Sequence, residues 1–269
     1  MFQWRGRWQD AFVAVLDGHG GPECADYLST HLFWAMVRAL EGTQGPGAIE
    51  GALRAACHSV EHTLLDRCRL LDLKSGCCCV CAWLESGPRG SGGGAGLWSS
   101  LYVGWAGDCL AWLIGASPDQ DRPLTEPHTL DNQDELDRVR AEGGLVINVK
   151  GAPRLNGLLP LTRAFGDMCL KPSPLSGEVE VAHCALDPCS SLVLLLASDG
   201  LSDVLSLQQC SQALRHFTHS TPAHDVDEGS LAAELGRCAR EAGAKDNLTV
   251  LTVLLVPPEE LRTKLQPPA

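Results

Sequence analysis

The chain is 269 residues long, enough to enclose a substantial core without covalent staples, and a single domain over 1–269 is the simplest organisation. Its 33 acidic against 21 basic side chains give a formal net charge of −12, and no block of five or six like charges occurs, which argues against a nucleic-acid partner. The 13 cysteines sit mostly inside apolar runs such as Cys77, Cys78, Cys79 and Cys81, the pattern of reduced thiols in a cytosolic or nuclear protein and not of a secreted disulfide framework. Met1 to Asp10 hold no apolar stretch fit for a secretory signal, and no membrane partner is expected.

In chain order, Phe12 to Leu16 is a short apolar run that ends at Asp17-Gly18-His19-Gly20-Gly21. Pro22 then opens a segment with apolar residues at Ala25, Leu28, Leu32, Met36 and Ala39, so the spacing predicts a strand, a glycine turn and an amphipathic helix. Ile49, Leu53, Ala56, Val60 and Leu64 predict a second helix beside the first. Cys77 to Leu84 and Leu97 to Val103 predict a hairpin, interrupted at 86–96 by a flexible insertion of Gly, Ser, Pro and Arg. Ala111 to Ile114 is a further strand. Leu136 and Val139 mark a short helix closed by Gly143-Gly144, and Leu145 to Val149 returns to strand, followed after Gly151 by a loop and a weak strand. Leu192 to Ala197 is fully apolar, as in a strand covered on both faces, and ends at Ser198-Asp199-Gly200. Two helical faces follow (Leu207, Cys210, Leu214, Phe217 and Leu231, Leu235, Cys238, Ala242), and Leu248 to Val256 makes a long final strand. Strands grouped with paired helices predict an α+β sandwich, sheets inside and helices outside.

Asp17, Asp199 and Asp246 each lie at the end or beginning of an apolar strand. Asp-Gly and Asp-Asn are also ordinary turn formers. If the strand ends converge, however, three carboxylates crowd together, and a multivalent cation must neutralise them. Oxygen ligands imply Mg2+ or Mn2+ over zinc. His19, two residues beyond Asp17, is placed to donate a proton to a departing alcohol.

Three other patterns carry less. His58-Ser59-Val60-Glu61-His62 spells H-x-x-E-H, but its histidine face lies about 160° from the stripe of Leu53, Val60 and Leu64 at ~100° per residue, so both rings should face solvent. Cys78-x-x-Cys81 lacks a second pair. The glycine stretch from Gly87 to Gly96 leads into a strand and lacks Gly-Lys-Ser/Thr, so it is no phosphate cradle.

Five segments, in order, resemble the protein phosphatase 2C (PP2C, PPM) family: Phe12 to Gly21 is similar to F-A-V-x-D-G-H-G-G, Val103 to Asp108 to V-A-N-V-G-D-S, and Leu155 to Asp167 to V-N-G-x-L-x-x-S-R-A-x-G-D. Leu196 to Val204 resembles L-A-S-D-G-x-W-D-V, and Ala244 to Val250 matches S-x-D-N-x-T-V. The resemblance implies a β-sandwich of two antiparallel sheets flanked by pairs of antiparallel helices, and hydrolysis of phosphoserine and phosphothreonine in proteins. It implies two Mn2+ or Mg2+ ions, with Asp17 between them, the Gly18 carbonyl on one and Asp199 and Asp246 on the other. Water activated by these ions attacks phosphorus while His19 protonates the leaving oxygen. Asp108 and Asp203 match positions for a third, weaker metal, and Arg163 is expected to brace structure. Glu126-Pro127-His128, Asp131 to Glu135 and Lys171-Pro172 resemble the subgroup acting on p21-activated and calmodulin-dependent kinases, so the expected partners are phosphorylated proteins, kinases among them.

The family also carries a phosphate-gripping arginine and an acidic pair upstream of the Asp-Gly-His turn. Here only Arg5, Arg7 and Asp10 stand there, outside the family's Glu-Asp context, so an N-terminally truncated domain with one incomplete metal site is expected. A second reading follows: a catalytically weak or inactive relative that binds phosphoproteins or kinases without turning them over.

Overall fold

The structure, a computed structural model, describes residues 10–41, 43, 45, 47–87, 98–171 and 174–268. Nearly all of the insertion expected at 86–96, and both Arg5 and Arg7, fall outside the described residues.

The first sheet is antiparallel, in the order β1 (Ala11–His19), β2 (Gly76–Ser86), β3 (Trp98–Ala106) and a further strand at Glu180–Ala185. Between these in the chain come β4 (Leu110–Gly115), β5 (Arg122–Pro123), the hairpin of β6 (Val146–Val149) with β7 (Ala152–Leu155), and β8 (Phe165–Gly166), which joins the start of β2. The Glu180–Ala185 strand is therefore β9. β10 (Ser191–Ala197) and β11 (Val250–Leu254) complete the second sheet in the order β11–β10–β4–β5.

Period-two alternation sorts the apolar strands onto two faces. Along β2, Cys78, Val80, Ala82 and Leu84 meet Ala111, Leu113, Leu194, Leu196 and Val253 of the other sheet, forming the inter-sheet core. Cys77, Cys79, Cys81 and Trp83 point the other way, against α1 (Glu23–Leu40) and α2 (Ala48–Leu71). Cys78 and Cys81 consequently lie on opposite faces and cannot share a metal. The thiols are free.

Outside the second sheet, β4 and β10 bury Trp112, Ile114, Val193 and Leu195 against α5 (Leu207–Ser220), α6 (Glu228–Glu241) and α7 (Pro258–Lys264). The remaining helices are α3 (Gln133–Ala141), which packs Val139 on Leu155 of the β6–β7 hairpin side, and the single turn α4 (Asp199–Ser202). The architecture is the α+β sandwich of two antiparallel sheets between helices. Among the described residues no helix is long and apolar enough to cross a membrane.

Several boundaries differ from the sequence reading. β1 does not stop at Leu16 but continues through Asp17, Gly18 and His19, which pair with Cys78, Cys77 and Gly76. The last strand is shorter than expected because Leu248 and Thr249 belong to a loop bonded to Ser198. β9 escaped detection because it is an edge strand of mixed exposure with no apolar run. α7 was hidden behind Pro257-Pro258, where a proline at the first helical position starts a helix.

Candidate active site

One end of the sandwich collects the chemistry. β1 presents Ala11, Val13 and Val15 to the inter-sheet core, so the same face continues to Asp17 and His19 at the strand's end. The β3–β4 turn brings Asp108, β10 runs into Asp199 at the start of α4, and the loop before β11 brings Asp246. Ser198 binds the last two together: its amide donates to the Thr249 carbonyl (3.1 Å), its hydroxyl donates to the Asn247 carbonyl (3.2 Å), and the Thr249 amide donates to that hydroxyl (3.1 Å). Asp203 caps α4, is exposed, and lines a cleft of about 440 Å3 with Gly200, Lys245 and Asp246.

These carboxylates act on one another electrostatically, although among the described residues no three of them bring oxygens within 4.8 Å of one another. Burial, then repulsion from Asp108, Asp17, Asp203 and Asp246, pushes the Asp199 carboxyl up to about 7. Asp17 is raised by burial and by Asp108 and Asp246, with partial relief from a hydrogen bond to Asp199 and from the His19 charge. Asp108 is raised chiefly by burial and also by Asp203, against relief from the Cys78 thiol and His19. The Asp199 Oδ1 atom is buried and has no hydrogen-bond partner. An unpaired buried carboxylate oxygen among like charges is costly, and a hard divalent cation is the group that removes both penalties. The residues present thus fit such an ion. Of the expected set, Asp17 shares a hydrogen bond with Asp199 and both feel the charge of Asp246; Gly18 lies exposed in the same strand end, and the charges of Asp108 and Asp203 also act on Asp199.

His19 stands beside this cluster with its Nε2 atom 2.7 Å from Asp167 Oδ2. Burial disfavours the imidazolium, but the bond to Asp167 and the charges of Asp167, Asp108 and Asp17 outweigh it, so the histidine is raised above its ordinary value. The contact exists because residue 76, opposite His19 in the β1–β2 register, is glycine: a Cβ there would collide with the Asp167 carboxylate and the His19 ring. Asp167 is 6% exposed and holds a left-handed backbone (φ 47°) after Gly166 (φ 73°). Sequence reasoning read Gly166-Asp167 only through motif resemblance, as the end of one motif and, with Lys171-Pro172, as part of a subgroup pattern. The adjacency of residues 19 and 167 is a long-range fact with no local signal.

A second polar cluster adjoins these residues through Gly107, the chain neighbour of Asp108. Among the described residues, His128, Glu135 and Glu180 place ligand atoms within 4.8 Å of one another. Arg163 already occupies the centre, donating to Glu135 Oε1 from Nε (3.0 Å) and Nη2 (2.5 Å) and to Glu180 Oε1 (2.8 Å). His128 accepts the Gly107 amide at Nδ1 (3.2 Å), so its proton sits on Nε2, and burial with the nearby Arg163 charge lowers it to about 3. Glu135 also accepts from Thr162 and Arg138, and these partners hold its carboxyl far below the ordinary range against the cost of burial. The guanidinium does a cation's work here, and Arg163 is a brace. Asp10 is likewise structural: 5% exposed, it accepts from Trp83 Nε1 (3.2 Å) and from the Ser86 amide and hydroxyl (2.9 Å each). In the H-x-x-E-H segment both histidines are exposed, as expected, while Glu61 is buried.

Comparison with known proteins identifies the family and the fold. A family described as Protein phosphatase 2C matches residues 2–248. Human protein phosphatase 1F is 37% identical over 255 residues, covering 93% of this chain and 50% of the human protein. Protein phosphatase fem-2 of Caenorhabditis elegans is 30% identical over 257 residues, covering 96% of this chain and 54% of the worm protein. The chain thus spans about half the length of these curated relatives. Among solved structures, a C. elegans sex-determining protein superposes with a TM-score of 0.86 at 28% identity, over 97% of this chain and 60% of its own. A serine-threonine phosphatase 2C from Toxoplasma gondii shares the fold, with a TM-score of 0.73 at 22% identity over 93% of this chain and 86% of its own.

Proposed function

We propose, because the chain belongs to the protein phosphatase 2C family, that it hydrolyses phosphoserine and phosphothreonine in proteins at the carboxylate cluster. The observation that carries the reading is the meeting of Asp17, Asp108, Asp199 and Asp246, with an orphaned oxygen on Asp199, beside a histidine favoured in its protonated form. Two Mn2+ or Mg2+ ions held by Asp17, the Gly18 carbonyl, Asp199 and Asp246, with a third and weaker one at Asp108 and Asp203, would supply an activated water and neutralise the phosphoryl oxygens.

The chain's own part is proton delivery and orientation. A serine or threonine alkoxide is a poor leaving group, and a positioned acid accelerates its departure by typically ~10²- to 10⁴-fold. His19 is that acid. Asp167 engages Nε2, so the proton to be transferred is the one on Nδ1. Phosphorylated proteins, protein kinases among them, are the substrates this reading supplies. The kinases rest on the motif resemblance around Glu126-Pro127-His128 and Asp131 to Glu135.

The test is phosphate release from a phosphothreonine peptide by the purified chain in Mn2+, with EDTA and Asp199→Asn as controls. Release abolished in both controls is the expected result. A folded chain that releases no phosphate in Mn2+ overturns the reading and leaves a binding role.

A further inference from the structure

We propose that the largely buried pair Glu61–Lys171 is a positioning device for the proton donor: it locks the Gly166–Asp167 turn so that the Asp167 carboxylate meets His19. The inference rests on the reading of His19 as the acid.

Glu61, on α2, is 7% exposed. Its Oε2 accepts the Gly166 amide at 3.0 Å, and its Oε1 is paired with the Lys171 ammonium. Lys171 Nζ also donates to the Ala164 carbonyl at 2.8 Å. The residues on either side of Phe165 are therefore tied by one ion pair, Ala164 through its carbonyl and Gly166 through its amide. Phe165 itself is fully buried in the core under α1 and α2. One residue on, the Asp167 amide donates to the Ser75 carbonyl (3.0 Å), and its side chain reaches His19.

Two features make this more than packing. Consecutive left-handed residues, one of them an aspartate, persist only where the surroundings over-determine them, and a side chain at Gly166 would run into Cys24 and the Ser75 carbonyl. An ion pair is also a poor choice for stability alone, since apolar residues of similar volume serve as well in a buried site. A carboxylate has what they lack: two acceptors, one for an ammonium and one for a backbone amide, which fix the turn's position relative to α2. Glu61 thus acts on the chemistry through Gly166 and Asp167, without touching the reacting atoms.

The experiment uses the full chain and four variants: Glu61→Gln, the apolar pair Glu61→Leu/Lys171→Met, Asp167→Asn and His19→Ala. The apolar pair removes both charges together, so no buried ion is left alone. The first readout needs no turnover: in metal-free protein labelled with 15N-histidine, the His19 ring resonances report the contact at Nε2, and those of His219, whose Nε2 meets the Leu265 carbonyl outside the second sheet, report an intact fold. We expect both Glu61 variants to move the His19 resonances toward the Asp167→Asn positions with His219 unmoved. His19 resonances that stay at their wild-type positions overturn the proposal.

The second readout is the ratio of turnover on a phosphothreonine peptide to that on p-nitrophenyl phosphate, whose leaving group needs no proton. The ratio should fall about tenfold or more in the Glu61 variants and further in His19→Ala; an unchanged ratio in the Glu61 variants, with a reduced one in His19→Ala, counts against them as positioning residues. A ratio unchanged in His19→Ala itself refutes the acid reading instead, which separates the two failures.

Discussion

Replacing Asp199 by asparagine keeps the side chain's shape and removes one charge from the cluster. The carboxyl is raised from 3.8 to about 7, some three units at about 1.4 kcal/mol each, or about 4 kcal/mol at most. Asp199 itself is only half-buried and Asp203 and Asp246 are exposed, so solvent and salt screen the site, and roughly half, about 2 kcal/mol, should survive. Because the folded-state value is raised, the carboxyl imposes no penalty below its unfolded value near 3.8. The penalty grows as pH rises from near 3.8 toward 7 and is full above that. In EDTA at pH 7.5, Asp199→Asn should therefore be more stable than the native chain, by about 4–8 °C in Tm at some 2–4 °C per kcal/mol, and the gap should close as pH falls toward 4. Mn2+ should reverse the order: at a hundredfold excess over its Kd a bound ion stabilises by about 2.7 kcal/mol, and the variant should lose most of that response. Thermal unfolding by circular dichroism, with and without metal, reads both effects. A variant no more stable than the native chain in EDTA, or one raised equally by Mn2+, would refute the account of the cluster.

Gly76→Ala forces a methyl between Asp167 and His19, so turnover of a phosphothreonine peptide should drop at least tenfold while the Mn2+-induced shift in Tm persists; unchanged turnover would contradict the geometry. Glu135→Leu leaves Arg163 and Arg138 without their buried carboxylate and should cost about 3–5 kcal/mol in urea unfolding, with partial recovery when Arg163→Leu is added. His128 is lowered to about 3 from 6.5, so its contribution to stability is full above pH 6.5 and is lost as pH falls toward 3. Glu135, lowered from 4.5, adds a further loss only below pH 4.5. His128→Phe should accordingly flatten the pH dependence of the urea midpoint between 6.5 and 4.5, and a slope equal to the native one would show that His128 takes up its proton without cost.

Element type was legible where the pattern is local. Runs such as Cys77 to Leu84 and Leu192 to Ala197, and the stripes of α1, α2, α5 and α6, carry their period in consecutive residues, and the helices' apolar faces match the buried ones. The edges of elements were less so: β1 runs on through Asp17, Gly18 and His19 because partners 57 or more residues away continue the ladder, which no reading of Asp-Gly as a turn anticipates.

The candidate site divides in the same way. Asp17, His19, Asp199 and Asp246 could be singled out from strand-end positions and from motifs, because each signal spans only a few residues. Their meeting, the orphaned oxygen of Asp199 and the charge shifts that follow arise from the stacking of two sheets. Asp167 and Glu61 were invisible for the same reason. An aspartate after a glycine and a glutamate inside a helix are commonplace in sequence, and their importance lies in partners 148 and 110 residues distant. Composition and periodicity act through neighbours along the chain, so the sequence by itself determined the strongly patterned elements, the fold class and the candidate ligands. Coulomb interactions and hydrogen bonds act through space, so only the tertiary structure decided which carboxylates repel, which histidine is held for proton transfer, and which of two acidic clusters is already neutralised by an arginine.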